Sequence, residues 1–313
     1  MRILLIKTSS LGDVVHNLPV VSDLRRRYPE AKIDWIVEEG FVDIPHLHSG
    51  LRHVIPVALR RWRGSLVTRA TWRQVGLFYA TLRDESYDLV IDTQGLLKSA
   101  LITRMARGKS CGYNAASARE PLAARFYDAT FDVAKELHAV QRNRRLAALA
   151  AGYSIEEAPD YGIAVAPAPT LGIRTAVLLT ATSRDDKLWP EERWIAVGRG
   201  LHEQGLTCLL PAGSAAERER AKQIAQAIPG ATVLPSMSLR DLAGQLAVAS
   251  LVIGADTGLV HLAAALGRPT LALFCASDPG LTGVLAETPA VNLGARGQPP
   301  SVDQVLTAAM PLL

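Results

Sequence analysis

The chain has 313 residues, 49% of them hydrophobic and 20% charged, with a net charge of +4. That length allows two ordinary domains, each with its own core, and the absence of low-complexity tracts or solenoid-period repeats excludes disorder and repeat architectures. The longest apolar runs, such as Leu271 to Ala276, are too short to cross a bilayer and Met1 to Lys7 is too short for a signal peptide, so a cytoplasmic globular protein is expected.

In chain order, Arg2 to Lys7 reads as a strand, followed by the polar turn Thr8 to Asp13 and a helix over Val14 to Arg27. Strands follow at Lys32 to Val37 and Asp88 to Asp92. Between these two, positions 44 to 83 hold no acid and no Lys but seven arginines: Arg52, Arg60, Arg61, Arg63, Arg69, Arg73 and Arg83. Residues 1 to 170 carry 23 Lys and Arg against 18 Asp and Glu, whereas residues 171 to 313 carry 11 against 12, so the positive excess belongs to the first half. Arginine forks grip phosphate or carboxylate bidentately, and an anionic partner is expected there.

Pro159, Pro167 and Pro169 break the pattern between Glu156 and Thr170, placing a domain boundary after residue 165. The second half supplies strands at Thr175 to Leu179, Leu206 to Leu210, Thr232 to Leu234, Leu251 to Ala255 and Thr270 to Cys275. Helices are expected at Glu191 to Glu203, Ala215 to Ile228, Leu239 to Ala247 and Leu259 to Leu266, with a short last helix that is a candidate to pack back on the first domain. This alternation predicts an α/β chain of two Rossmann-like domains (1–165 and 166–313), parallel sheets covered by helices, with strand carboxyl ends toward a central cleft. Cys111, Cys208 and Cys275 are scattered without ligand spacing and read as buried reduced thiols. Leu89 to Gly95 and Leu251 to Gly258 echo one another, both ending in Asp-Thr near a glycine.

Asp256, Thr257 and Gly258 stand where a strand feeds a helix start, whose unpaired N–H groups and partial positive charge attract phosphate. Asp256 reads there either as a helix cap or as part of a phosphate site. Asp13 likewise reads as an N-cap or as a general base, with the helix start lowering its pKa. Thr182, Ser183 and Lys187 follow a strand and suit a diphosphate, against the alternative of a solvated lysine. His261, one turn beyond Thr257, is structural or borders the same ligand, and Glu217 either offsets a helix dipole or meets a ribose hydroxyl. Asp185-Asp186 is a weak metal pair lacking a further carboxylate at ligand spacing. There is no GxGxxG, P-loop or GxSxG, which argues against a dehydrogenase, P-loop kinase or α/β hydrolase.

The successive segments TSSLGD (Thr8–Asp13), DTQGLLKS (Asp92–Ser99), TSRDDKLWP (Thr182–Pro190), LPSMSL (Leu234–Leu239) and DTGLVHL (Asp256–Leu262) together resemble the ADP-heptose lipopolysaccharide heptosyltransferases of glycosyltransferase family 9. RDDKLWP resembles the branch that adds the first heptose to Kdo-lipid A. The resemblance implies a GT-B fold and inverting transfer of L-glycero-D-manno-heptose from ADP-heptose to a Kdo hydroxyl. It makes Asp13 the base, and makes Thr182, Ser183, Lys187, Asp256, Thr257, Gly258, Leu259 and His261 donor contacts, with Glu217 on the ribose and Met237 beside the adenine. Lys187 and the helix start at Thr257 would offset charge on departing ADP. Ser10, Gly12, Arg60, Arg61, Arg63, Gln94, Lys98 and Arg119 fall on the acceptor side.

No cofactor and no essential metal are expected. The partners implied are ADP-heptose, Kdo-lipid A and the anionic cytoplasmic face of the inner membrane, with no nucleic acid. Competing readings are the branch adding the second heptose, another nucleotide-sugar enzyme such as an epimerase, or a protein that binds nucleic acid or anionic surfaces without catalysis.

Overall fold

Apolar runs and the helices between them form two all-parallel sheets in the computed structural model, which describes residues 1–65, 67–169 and 172–313. Two compact units result, Met1–Gly162 and Ile163–Leu313, so the break falls slightly before the expected one. The expected linker's end, Thr170, lies outside the described residues.

The first unit contains strands β1 (Arg2–Ile6), β2 (Lys32–Glu38), β3 (His53–Val57), β4 (Ser86–Asp92), β5 (Arg107–Tyr113) and β6 (Ala129–Phe131) in the order β3-β2-β1-β4-β5-β6. Its helices are α1 (Leu11–Val15), α2 (Leu18–Arg27), α3 (Leu59–Arg63), α4 (Arg69–Asp84), α5 (Leu97–Met105) and α6 (Ala139–Ala151). Ile3, Leu4, Leu5 and Ile6 of β1 are fully buried, as a central strand covered on both faces requires.

The second unit contains β7 (Thr175–Leu179), β8 (Thr207–Leu210), β9 (Thr232–Val233), β10 (Leu251–Ala255), β11 (Thr270–Phe274) and β12 (Ala290–Gly294) in the order β12-β11-β10-β7-β8-β9. Helices α7 (Glu191–Glu203), α8 (Ala215–Gln226), α9 (Leu239–Ala247), α10 (Gly258–Ala265), α11 (Pro279–Thr282) and α12 (Val302–Ala309) connect and cover them. Both sheets have one topology: β7 holds the place of β1, and β10 that of β4.

Two expectations change, for the first helix and for one thiol. The helix expected over Val14–Arg27 is two helices, because Pro19 lacks the N–H that a continuous helix needs and sits instead at the permitted start of α2. The last helix buries Val305 and Ala309 in the second unit's own core beside Trp189 and Leu201. Cys111 and Cys208 are buried free thiols, but Cys275 is only partly buried.

Four strands give no strand signal in the sequence. In β3 Pro56 reads as a break, and β5 (RGKSCGY) reads as polar loop. Gly112 in β5 has a reason: a Cβ there would lie 2.2 Å from the Tyr127 ring, which packs on the strand and reaches Asp92.

The α2 and α6 helices are locked by a buried ion pair, with Arg144 Nε 2.7 Å and Nη2 2.9 Å from the Asp23 carboxylate. Removing one partner strands a buried charge, at a cost of about 3–5 kcal/mol. Asp23→Ala should therefore lower the urea-unfolding free energy by about 3 kcal/mol, and adding Arg144→Met should restore a measurable part of it.

Candidate functional site

In each sheet the strand order reverses between the unit's first and fourth strands, and parallel α/β sheets bind ligands outside the carboxyl ends at that point. The polar segments after β1 and β4, and after β7 and β10, lie at these two positions.

In the first unit Ser10, not Asp13, is the N-cap of α1, and Asp13 is the third residue of its first turn. Asp13 Oδ2 accepts the Ser10 N–H at 2.9 Å, and Arg119 forks onto both oxygens at 2.7 and 3.3 Å. Behind it Lys7, 3% exposed, donates to the Thr93 carbonyl at 2.8 Å and to Asn143 Oδ1 at 3.2 Å. Burial would raise the Asp13 pKa, but the charge of Lys7, the charge and hydrogen bond of Arg119 and the Ser10 N–H together hold it well below the usual carboxylate range. Lys7 is itself pushed down to about 8, by burial first, with Asp13 pulling the other way and Arg119 and Arg142 adding to the fall. Lys7, Arg119 and Arg142 line a cavity of about 20 Å³ with Thr93, Gln94 and Tyr113.

The other residues expected on the acceptor side divide. Gln94 is buried and clamps the loop after β1, accepting from the Thr8 and Ser9 N–H groups at 3.0 and 3.3 Å and donating to the Ser9 carbonyl at 2.6 Å. Lys98 Nζ reaches Ser9 Oγ at 2.9 Å, so it joins the Asp13 loop, as do Ser10 and Gly12. Arg60, Arg61 and Arg63 lie apart on α3, after β3. The Arg60 guanidinium stands 5.1 Å from the Phe41 ring centre, and Arg61 is held by Glu39 through two bonds of 2.9 Å and by Gln74. Arg52 is not available to a ligand: it forks onto buried Asp34 at the amino end of β2 and pairs with Glu85.

In the second unit Asp256 is an anionic hub and Thr257 is the N-cap of α10, so the capping reading of Asp256 does not hold. Lys187 Nζ stands 2.6 Å from Asp256 Oδ2, Ser277 Oγ donates to the same oxygen, and His261 Nε2 lies 3.8 Å from Oδ1. Burial would raise the Asp256 pKa; hydrogen bonds from His261, Lys187 and Ser277 and the Lys187 charge hold it well below the usual range. No side chain caps the α10 start, where Gly258 and half-buried Leu259 form the first turn. Thr182 Oγ1 is tied into its own loop, donating to the Arg184 carbonyl at 2.6 Å, while Ser183 is exposed.

Glu217 completes a capping box: its Oε2 accepts from the Gly213 and Ser214 N–H groups at 2.8 and 3.1 Å. Met237 is half-buried in the loop between β9 and α9. Asp186 pairs with Arg184, and no group of three or more potential metal ligands occurs among the described residues. Lys7, Arg142 and Ser277 were not singled out in the sequence. Lys7 and Ser277 had one readable signal, a polar residue just beyond the end of an apolar strand.

Two tandem Rossmann-like units with polar constellations at their switch points have the GT-B architecture of nucleotide-sugar enzymes. A profile of glycosyltransferase family 9 (heptosyltransferase) matches residues 76–309, and the chain belongs to that family. It is 46% identical over 288 residues to lipopolysaccharide heptosyltransferase 1 of Escherichia coli K12, covering 90% of each chain. Identity is 47% over 303 residues to the Pseudomonas aeruginosa protein so named, covering 94% of this chain and 84% of that one. The solved E. coli heptosyltransferase WaaC with ADP superposes with a TM-score of 0.93 at 41% identity, covering 100% of both chains. Membership of an enzyme family replaces the noncatalytic anion-binding reading.

With its pKa near 8, Lys7 is charged below that pH and neutral above it. The Lys7 charge behind Asp13 is therefore lost as pH rises through about 8 while Arg119 stays charged, and kcat/KM for an anionic acceptor should fall there. Lys7→Met should lower kcat/KM at pH 7 by about tenfold or more and abolish that alkaline limb, which a pH–rate profile would show.

Proposed function

We propose that this protein transfers L-glycero-D-manno-heptose from ADP-heptose to a Kdo hydroxyl of Kdo-lipid A, with inversion, at the cytoplasmic face of the inner membrane. The observation that carries the reading is the Asp13 carboxylate, kept ionised at a strand's carboxyl end with Lys7 and Arg119 around it. A carboxylate in that position takes the hydroxyl proton, and the cations attract a sugar acid. The acceptor oxygen then bonds to the anomeric carbon as the bond from that carbon to the diphosphate oxygen breaks. The electron pair and negative charge leave on ADP.

Arg119 covers both oxygens of Asp13 before the acceptor arrives. An acceptor carboxylate that draws Arg119 toward itself raises the basicity of Asp13 as the hydroxyl comes into place. In the second unit the donor diphosphate competes with Asp256 for Lys187, and the uncapped α10 start adds N–H donors to the leaving charge. Asp256 keeps the lysine placed and neutralised until then. Leu259 and His261 border the donor, Thr182 and Ser183 contribute hydroxyls, Met237 lies beside the adenine, and Glu217 reaches the ribose with the oxygen that its helix cap leaves over. Arg60, Arg61, Arg63, Gln94 and Lys98 serve the acceptor side, Gln94 by shaping the loop.

Release of ADP from ADP-heptose only when Kdo-lipid A is also present tests the reading. A requirement for an acceptor already carrying one heptose would assign second-heptose activity instead. Asp13→Ala should lower kcat by about 10³-fold or more while ADP-heptose still binds by calorimetry, whereas Lys187→Ala should impair both turnover and donor affinity.

Lys187 and the helix start supply the positive charge that the leaving diphosphate needs, so transfer should need no essential metal. The rate in excess EDTA should equal the rate with added magnesium, and a complete loss in chelator would refute this part.

A further inference from the structure

Helix α4 carries an outward surface that the proposed chemistry does not use. Thr71, Phe78 and Leu82 turn inward. On the opposite side Trp72 is 61% exposed, Leu77 60% and Tyr79 44%, with Val67 98% exposed just before the helix. By helical spacing Arg69, Arg73 and Ala80 run along the middle of the exposed strip, bordered by Trp72 and Tyr79 on one side and Leu77 on the other. The Arg83 guanidinium lies 5.6 Å from the Tyr79 ring centre. No acid interrupts the strip before Asp84, the last residue of the helix.

We propose that this face of α4 docks on a bilayer rich in anionic phospholipid. Large exposed apolar side chains grouped together mark an interaction surface. Tryptophan and tyrosine favour the headgroup level, and arginine stems lie along apolar surface while their charged ends meet phosphate. The charge selects the occupant: a second copy of the same face would bring Arg69 and Arg73 toward their own counterparts, whereas an anionic leaflet pairs with both. The inference rests on the proposed function's lipid-borne acceptor for its purpose and on the surface for its substance. No helix among the described residues is long and apolar enough to span a membrane, so attachment here is interfacial.

Cosedimentation of the full chain with vesicles of equal parts phosphatidylglycerol and phosphatidylcholine, and with phosphatidylcholine alone, provides the test. The protein should partition strongly onto the mixed vesicles, and raised salt should weaken binding. Each arginine beside an anionic leaflet is worth roughly fivefold, so Arg69→Gln with Arg73→Gln should cost about 25-fold. Trp72→Ser with Leu77→Ser and Tyr79→Ser should reduce binding at least as much. Because all five positions are exposed, melting curves should match the unsubstituted protein for both variants.

On acceptor dispersed in neutral detergent both variants should turn over at the normal rate, and on acceptor in mixed vesicles more slowly. Loss of vesicle binding with normal detergent turnover supports the proposal. Intact vesicle binding without turnover in either setting also leaves it standing and removes the proposed function instead. Vesicle binding that neither variant changes overturns it, as does a Trp72-dependent dimer that binds no vesicles.

Discussion

Two carboxylates, Asp13 and Asp256, stay ionised in surroundings where burial alone would favour protonation, and the proposed transfer depends on what holds them there. Asp13 is held by the charges of Lys7 and Arg119; Asp256 is held by hydrogen bonds from His261, Lys187 and Ser277 and by the Lys187 charge. A buried charge without such partners costs several kcal/mol or neutralises itself. Under the proposed function, the cations that stabilise each site are the groups that an anionic ligand would recruit on binding. In the proposed transfer each intramolecular ion pair, Asp13 with Arg119 and Asp256 with Lys187, would be exchanged for one with the substrate.

The internal echo shows how neighbours, not sequence, decide what such a carboxylate does. Asp92 ends β4 and Asp256 directly follows β10, the equivalent fourth strands, and both are followed by threonine. Asp92 is fully buried and receives hydrogen bonds from the Tyr127 hydroxyl at 2.7 Å and the Gln94 N–H at 2.8 Å. Burial outweighs these and pushes its pKa up. At Asp256 the hydrogen bonds from His261, Lys187 and Ser277 and the Lys187 charge reverse the direction. In the first unit the fourth-strand carboxylate braces the turn that carries Gln94, and Gln94 braces the Asp13 loop. In the second unit the corresponding carboxylate meets the cation directly.

The alternation of apolar strands and amphipathic helices was legible wherever each residue served one purpose: α7 and α9 fall on the expected residues, and the loops after β1, β7 and β10 are where their motifs place them. What was not legible has physical causes. Strand β5 carries Gly112 because an aromatic ring lies on its backbone, and that choice erases the apolar signature of a strand. Helix starts depend on which residue adopts the cap conformation, so Asp13 and Asp256 both looked like caps while Ser10 and Thr257 occupy those places. Lys7 closes an apolar run and reads as its solvated end, because only the fold brings Asn143 and Arg119 around it.

The arginine-only stretch illustrates the limit of charge counting most directly. At the amino end of β3, Arg52 meets Asp34 from the start of β2, and the pair fixes strand register far along the sheet from the carboxyl ends that bind ligands. Past the carboxyl end of the same strand, Arg60, Arg61 and Arg63 share the short helix α3, where Glu39 already takes one of them. Farther on, Arg69 and Arg73 stand on an exposed helix face between aromatic and aliphatic side chains. One compositional feature thus divides into a register clamp, a group near the strand ends and a surface strip. The division follows the direction of a parallel strand: residues before it stabilise, residues after it face chemistry, and the returning helix presents the remainder outward.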